Sequence, residues 1–418
     1  MDQNQWTNIA TNQPSSTSDT LLEESLEEYI RAAYPAIDTD IENNIPTSAS
    51  TSTSTSSSTP SSSTQQAKTT PARQKPTLKK GHINRILLYN GCFNPPHQGH
   101  LAQLTHAYRH SGADLHIVGA VVLVAGDQYL KWKMGRSPSA LRLSVAQRIE
   151  LWNRELRARE RERDGSAADR WCWVIPEDKW SATADELERL FEMDGFEVEF
   201  VRLAGGDKVG LRGVEHGVWG CGMTVTTDVS RPVEFCERVG GGGGEVRLRD
   251  LPGHTKWKRV LQQGDAVGED NDAGVRGGAP AQTLASTSLA GYVSQVCLRG
   301  HCPPRSYTST GVSVPSRRSP VRLWTPPTPI VPEHKREVWV CESTYFTRGT
   351  YTVRFVTSTL QERLDPNLSS TKLREIITEA TAPSQGGRVL EDRLRGVALS
   401  PELLAKFITE EMGKDMKE

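Results

Sequence analysis

Ten consecutive residues, IVGAVVLVAG at 117 to 126, carry no polar side chain, and half of them are β-branched. The run is too short to span a bilayer. Its composition predicts a strand covered on both faces, as strands inside parallel sheets are. Parallel neighbours need crossover helices, and the flanking sequence supplies them. RILLYNG at 85 to 91 is a short apolar run ending in glycine, and HLAQLTHAYRH at 100 to 110 sets Leu101, Leu104 and Tyr108 on one helical face. Leu141, Val145, Ile149, Trp152 and Leu156 mark a further helix. WCWVIP (171–176) reads as a strand, TADELERLFEMDG (183–195) as a helix closed by glycine, and VEFVRLAGG (198–206) as another strand. This alternation predicts an α/β fold built on a doubly wound parallel sheet.

Away from this frame the composition changes. Hydrophobic residues are 36% of the 418-residue chain, which suits one core diluted by polar segments better than a single large globule. Residues 1–80 are expected to be a disordered Ser/Thr-rich tail. Within it Leu22, Leu26, Tyr29, Ile30 and Ala33 form a short amphipathic helix behind Thr20, either a docking element for a protein partner, or a transient helix or one folding back on the chain's own core. Residues 81–238 form the first part of the α/β domain. Residues 239–334, rich in Gly, Pro and Ser, read as a largely disordered insertion, and 335–418 complete the domain. In that last part VWVCES and YTVRFVTS predict strands, and STKLREIITEA and PELLAKFITEEMG predict helices.

The charge is balanced, 50 basic against 51 acidic residues, so bulk electrostatics give no case for a nucleic-acid or membrane-surface protein. The N-terminus has neither the basic start and apolar run of a secretory signal nor the arginine content of a transit peptide. Seven irregularly spaced cysteines suggest free thiols in a reducing compartment, either cytosol or nucleus. Cys297 and Cys302 lack a second ligand pair at zinc spacing.

The chemistry is concentrated in GCFNPPHQGH, residues 91 to 100, at the carboxyl end of the first strand, where ligands bind in sheets of this kind. Gly91 permits close backbone approach, and the amides of Gly91, Cys92 and Phe93 can face a phosphate with help from the dipole of the following helix. His97 and His100, with Gly99 between them, share the first helical turn. They could be a metal pair, but no third ligand is apparent, and a phosphate cradle accounts for the glycines as well.

The turn resembles the HxGH signature of the class I nucleotidyltransferase superfamily. GxFNPxxxxHL in particular resembles the nicotinamide/nicotinate mononucleotide adenylyltransferases. LSSTKLR (368–374) is similar to that family's SSTxxR signature, VAGDQYLKWKMG (124–135) to its Asp, Tyr and lysine segment, and LAGGDKVG (203–210) to its LxGxD segment. The resemblance implies a Rossmann-like fold and transfer of AMP from ATP to a mononucleotide's 5′-phosphate, with release of pyrophosphate and no covalent intermediate. It implies that His97 and His100 donate to the ATP phosphates, and that Arg374 grips them bidentately with Ser370 and Thr371. It also implies that Lys131 or Lys133 reaches the incoming phosphate, with Mg²⁺ on the triphosphate. Asp207 would contact nucleotide, Asp127 and Tyr129 would bind substrate, and Trp180 and Trp219 fall near the family's base-stacking tryptophans.

Each of the weaker positions also has a plain reading: Asp207 as a helix cap, the two tryptophans as core, one lysine as solvated, and Arg231 as a surface residue rather than a phosphate ligand. The turn departs from the eukaryotic pattern at His97, and Trp132 and Met134 interrupt the lysine run. Another phosphorylated acceptor, such as phosphopantetheine or a sugar or alcohol phosphate, is therefore the alternative substrate. A nucleotide-binding regulatory protein without turnover is the alternative of a different class. The pattern is compatible with self-association.

Overall fold

The structure, a computed structural model, describes residues 23–36, 76–135, 141–164, 170–239, 245–261, 336–345, 350–381 and 387–415. The Ser/Thr tract and most of the 239–334 segment lie outside the described residues.

The centre is one eight-stranded sheet. Its strands run in the order Cys172–Pro176, Ile117–Val124, Ile83–Gly91, Glu197–Leu203, Met223–Thr227, Thr352–Val356, Val338–Glu342 and Lys258–Val260. The first six are parallel, and the last two join antiparallel at one edge. In chain order the parallel strands read 3-2-1-4-5-6, the doubly wound arrangement whose order reverses beside strand 1. The Ile117–Val124 run is buried along nearly its whole length, as its composition predicted. Met223–Thr227 is a central strand that the apolar pattern did not reveal; Thr224, Thr226 and Thr227 are all buried.

Each face of the sheet carries its own core. One packs Leu101, Leu104, Trp152 and Leu156 from the helices Gln98–His110 and Val145–Asp164. The other packs Trp180, Leu187 and Phe191 from the helix Trp180–Asp194 together with Leu26 and Ile30 from the helix Leu26–Ala33. A third cluster unites Leu143 and Leu151 with Leu373, Leu394, Leu404 and Phe407 of the C-terminal helices.

Of the two destinations considered for the N-terminal helix, the structure displays the chain's own core. Leu26 and Ile30 are fully buried, and the Tyr29 hydroxyl donates to Asp194 at 2.6 Å. Gly119 is required beneath it, since a Cβ there would lie 2.6 Å from Leu26. Order also extends past residue 239. Glu245–Leu248 pairs with Cys236–Val239, Lys258–Val260 joins the main sheet, and Trp257 stacks on Phe235 at 5.2 Å. Among the described residues no helix is long and apolar enough to cross a membrane.

Candidate active site

At the carboxyl ends of Ile83–Gly91 and Glu197–Leu203, where the strand order reverses, the chain opens a cleft of about 520 Å³. Residues 89–94 supply one side and 205–208 the other. His97, His100, Lys133, Arg231 and the 369–374 segment close around them.

The turn itself is strained and well packed. Phe93 has φ +45°, a left-handed conformation unusual for a bulky residue. Its ring is wedged between Tyr89 at 5.2 Å, Trp152 at 5.3 Å and His100 at 4.9 Å. The ring also lies directly against Gly91, where a Cβ would come within 2.8 Å of it. Glycine at 91 is thus needed for Phe93 to sit there, a reason the phosphate argument did not supply.

His97 caps the Gln98–His110 helix, and His100 lies one turn on; their rings stack at 3.6 Å. The His97 amide donates to His100 Nδ1 at 3.2 Å. That bond leaves the neutral His100 ring with its proton on Nε2. Burial, reinforced by Arg231, lowers His97 to a pKa of about 3; burial, His97, Arg231 and Lys133 hold His100 well below the ordinary imidazole range. Both are therefore neutral at physiological pH, and each ring can offer one N–H without carrying charge. Both ring nitrogens of His97 are buried without a partner. Gly99 sits beneath the His97 ring and is not itself part of the lining.

Residues 369–374 come from the far end of the chain. Ser369 caps the Ser370–Ala380 helix by accepting from the Lys372 amide. Ser370 Oγ donates to Pro95 O at 3.0 Å, and Arg374 Nη1 donates to Asn94 O at 3.2 Å. Arg374 Nη2 also donates to Thr371 Oγ1 at 3.0 Å, so these bonds use two of the guanidinium's five donors. The two sequence motifs are thereby joined into one wall.

Lys131 and Lys133 both lie on the helix Asp127–Met134. Residues two apart on a helix face different ways, and Lys133 lines the cleft whereas Lys131 does not. With Lys208, Arg231 and Arg374, the described lining holds four cations against one carboxylate, Asp207. Asp207 lies in a loop and caps no helix. Arg231 and Asp207 also border an adjoining cavity of about 260 Å³ with Arg212 and Glu234.

Other expectations are placed elsewhere. Asp127 is held by Arg148 at 2.7 Å and is outside the lining. Tyr129 is half exposed beside Trp132, also outside it. Trp180 is buried in the core against Phe200, and Trp219 packs at the edge of the same cluster, so neither tryptophan faces the cleft. Conversely, sequence reasoning missed Arg148, Asn94 and Gln103. Asn94 is buried, donates to Leu141 O and accepts from the Leu143 amide. Gln103 donates to Ala204 O and accepts from Tyr89, bracing the helix against the reversal point. Its one signal was position, three residues beyond His100 on the same helical face.

No curated protein matches the chain. Residues 88–216 match the family model described as cytidylyltransferase-like, and together with the reversal-point cleft this supports a nucleotidyltransferase domain.

Proposed function

We propose that the chain is an adenylyltransferase that moves AMP from ATP to nicotinamide or nicotinate mononucleotide, forming NAD or its deamido form and releasing pyrophosphate. The observation carrying this reading is the Arg374–Asn94 contact. It gathers His97, His100, Ser370, Thr371 and Arg374, residues of the two resembling motifs, around one cationic cleft.

The acceptor's phosphate oxygen attacks the α-phosphorus in line, and the bond to the bridging oxygen of pyrophosphate breaks. Positioning and charge neutralisation then carry the catalysis. His100 donates through Nε2 to the triphosphate as charge moves to the leaving group, a contact worth about 3 kcal/mol by comparison with oxyanion-hole donors. Arg374 offers its planar fork to the same oxygens, with Ser370 and Thr371 at a helix N-terminus beside it. Lys133 is the lysine assigned to the approaching phosphate. Mg²⁺ prefers oxygen ligands and keeps much of its water, so ATP oxygens would hold it, with Asp207 the one carboxylate of the described lining within the cleft. When bound it neutralises phosphate charge.

The positions of Trp180 and Trp219 favour a second reading, the same transfer to a different phosphorylated acceptor, because neither ring faces the cleft to stack on a pyridine. One assay separates the two. Purified protein with Mg²⁺ and ATP is given each pyridine mononucleotide or phosphopantetheine, with His100→Ala run beside it. Pyrophosphate release with a pyridine mononucleotide, lowered about 10²–10³-fold in the variant, supports the proposal. Release only with phosphopantetheine transfers it to the second reading, and ATP binding without release from either pyridine mononucleotide refutes the proposal.

A further inference from the structure

The far end of the Gln98–His110 helix carries a second constellation, unconnected with nucleotide transfer. His106 and His110 are four apart, hence on one face, and both approach Glu362 in the segment that follows the Thr352–Val356 strand. His106 Nδ1 lies 3.9 Å from Glu362 Oε1, and His110 Nε2 lies 3.7 Å from the same oxygen. Among the described residues this is the one group of three ligating side chains whose donor atoms all lie within 4.8 Å of one another.

The surroundings already orient these ligands. His106 Nε2 donates to Thr357 O at 3.1 Å, because a carbonyl can only accept. In the neutral ring Nδ1 therefore presents a lone pair toward Glu362. A histidine whose second nitrogen is tied to a backbone carbonyl is the usual arrangement at a metal ligand, since that bond fixes the tautomer and raises basicity. Glu362 is fixed in its turn: Oε2 accepts from the Thr359 amide and hydroxyl, and Oε1 accepts from Arg336 Nε at 2.9 Å. Arg336 also brings Nη2 to Oε1 at 2.7 Å, yet ligating carboxylates commonly keep such outer partners.

We propose that His106, His110 and Glu362 bind a zinc-class divalent transition metal. Ligands about 2.0–2.1 Å from a tetrahedral zinc lie about 3.3 Å apart, so each histidine need approach Glu362 by only about half an ångström. Two imidazoles and one carboxylate favour such an ion over Mg²⁺ or Ca²⁺, and three protein ligands leave a fourth position to water. The site is about 15 Å along the helix from His97, by the rise of about ten helical residues. It ties that helix to the segment that leads on toward Ser369–Arg374.

The test uses the full chain stripped of metal by chelation and titrated with Zn²⁺ in competition with a chromophoric chelator. The wild type is expected to bind one equivalent more than His110→Ala or Glu362→Gln. Metal in hundredfold excess over its Kd should raise the wild-type melting temperature by about 5–10 °C and leave the variants' unchanged. His216→Ala serves as a control, because His216 and His254 form a separate pair at 3.2 Å; it should retain the equivalent. Wild-type stoichiometry and shift in both variants would overturn the proposal. Should a variant fail to fold, Co²⁺-loaded wild type decides: visible d–d absorption of a four-coordinate ion supports the site, and its absence refutes it.

Discussion

Arg148 is fully buried and spends its guanidinium on backbone. Nη1 donates to Cys92 O at 2.7 Å and Ala125 O at 2.8 Å, Nε donates to Leu143 O at 3.1 Å, and Nη2 donates to Asp127 at 2.7 Å. One side chain thus fastens the turn after Ile83–Gly91 to the end of the neighbouring strand. Arg148→Met retains much of the stem's packing and removes every donor. It strips four backbone carbonyls of this partner; Ser144 O keeps its helical bond from the Arg148 amide, and each of the other three that stays buried and unsatisfied costs about 1–3 kcal/mol, whereas Asp127 is partly exposed and can hydrate. Allowing for relaxation, the total is about 3–5 kcal/mol, a third or more of a typical domain's stability. Thermal unfolding followed by circular dichroism should show a fall of about 10 °C, and the urea midpoint should drop without a change in slope. Asp127→Asn should change stability by less than about 1 kcal/mol and leave KM unaltered. A loss below about 1 kcal/mol in Arg148→Met, or an equal loss in Asp127→Asn, would refute the assignment of Arg148 as the fastener.

Lys133→Ala should lower kcat/KM by about 10–100-fold, the worth of a charge-assisted contact, with Lys131→Ala within about twofold; equal losses would contradict the helical separation of the two. Trp180→Ala should destabilise by about 3–5 kcal/mol with KM for the acceptor unchanged, whereas a selective rise in KM would restore it to the site. His97 and His110 are held neutral in the folded chain, at about 3 and about 4, while the unfolded chain protonates near 6.5. The unfolded state therefore binds more protons below 6.5, and stability should fall as pH drops through that window by about 1.4 kcal/mol per unit for each group, and stay flat above it with respect to them. Urea midpoints between pH 7.5 and 5 check this. By the same reasoning kcat/KM should show no imidazole-like inflection near 6.5 from His97 or His100.

The valine-rich strand, the alternation around it and the tight 91–100 turn were legible because each is a local pattern. Period, punctuation and a dense motif lie within a dozen residues. Met223–Thr227 was not, since three of its five residues are threonines, and hydroxyls that look polar in sequence are buried in the sheet. The site split along the same line. His97, His100 and Arg374 stand in motifs, whereas Arg148 and Asn94 act through backbone carbonyls and amides that no spacing rule marks. The tryptophans lie outside the cleft lining for a general reason: an indole near a site in sequence is more often buried for its area than offered to a ligand.

The edge of the sheet bears on how this chain can tolerate its long interruption. Val260 and Val338 are directly paired neighbours in the antiparallel ladder, so the two ends of the connection between these strands meet at a single point of the sheet edge. Whatever lies between them begins and ends at a position already closed by backbone hydrogen bonds. The entropy of closing such a loop grows only logarithmically, about 0.6 kcal/mol for each doubling of length. A connection of a few residues and one many times longer therefore differ by little more than the strength of a hydrogen bond or two. That edge is a place where the gene can gain or shed sequence while Arg374 still arrives opposite Asn94.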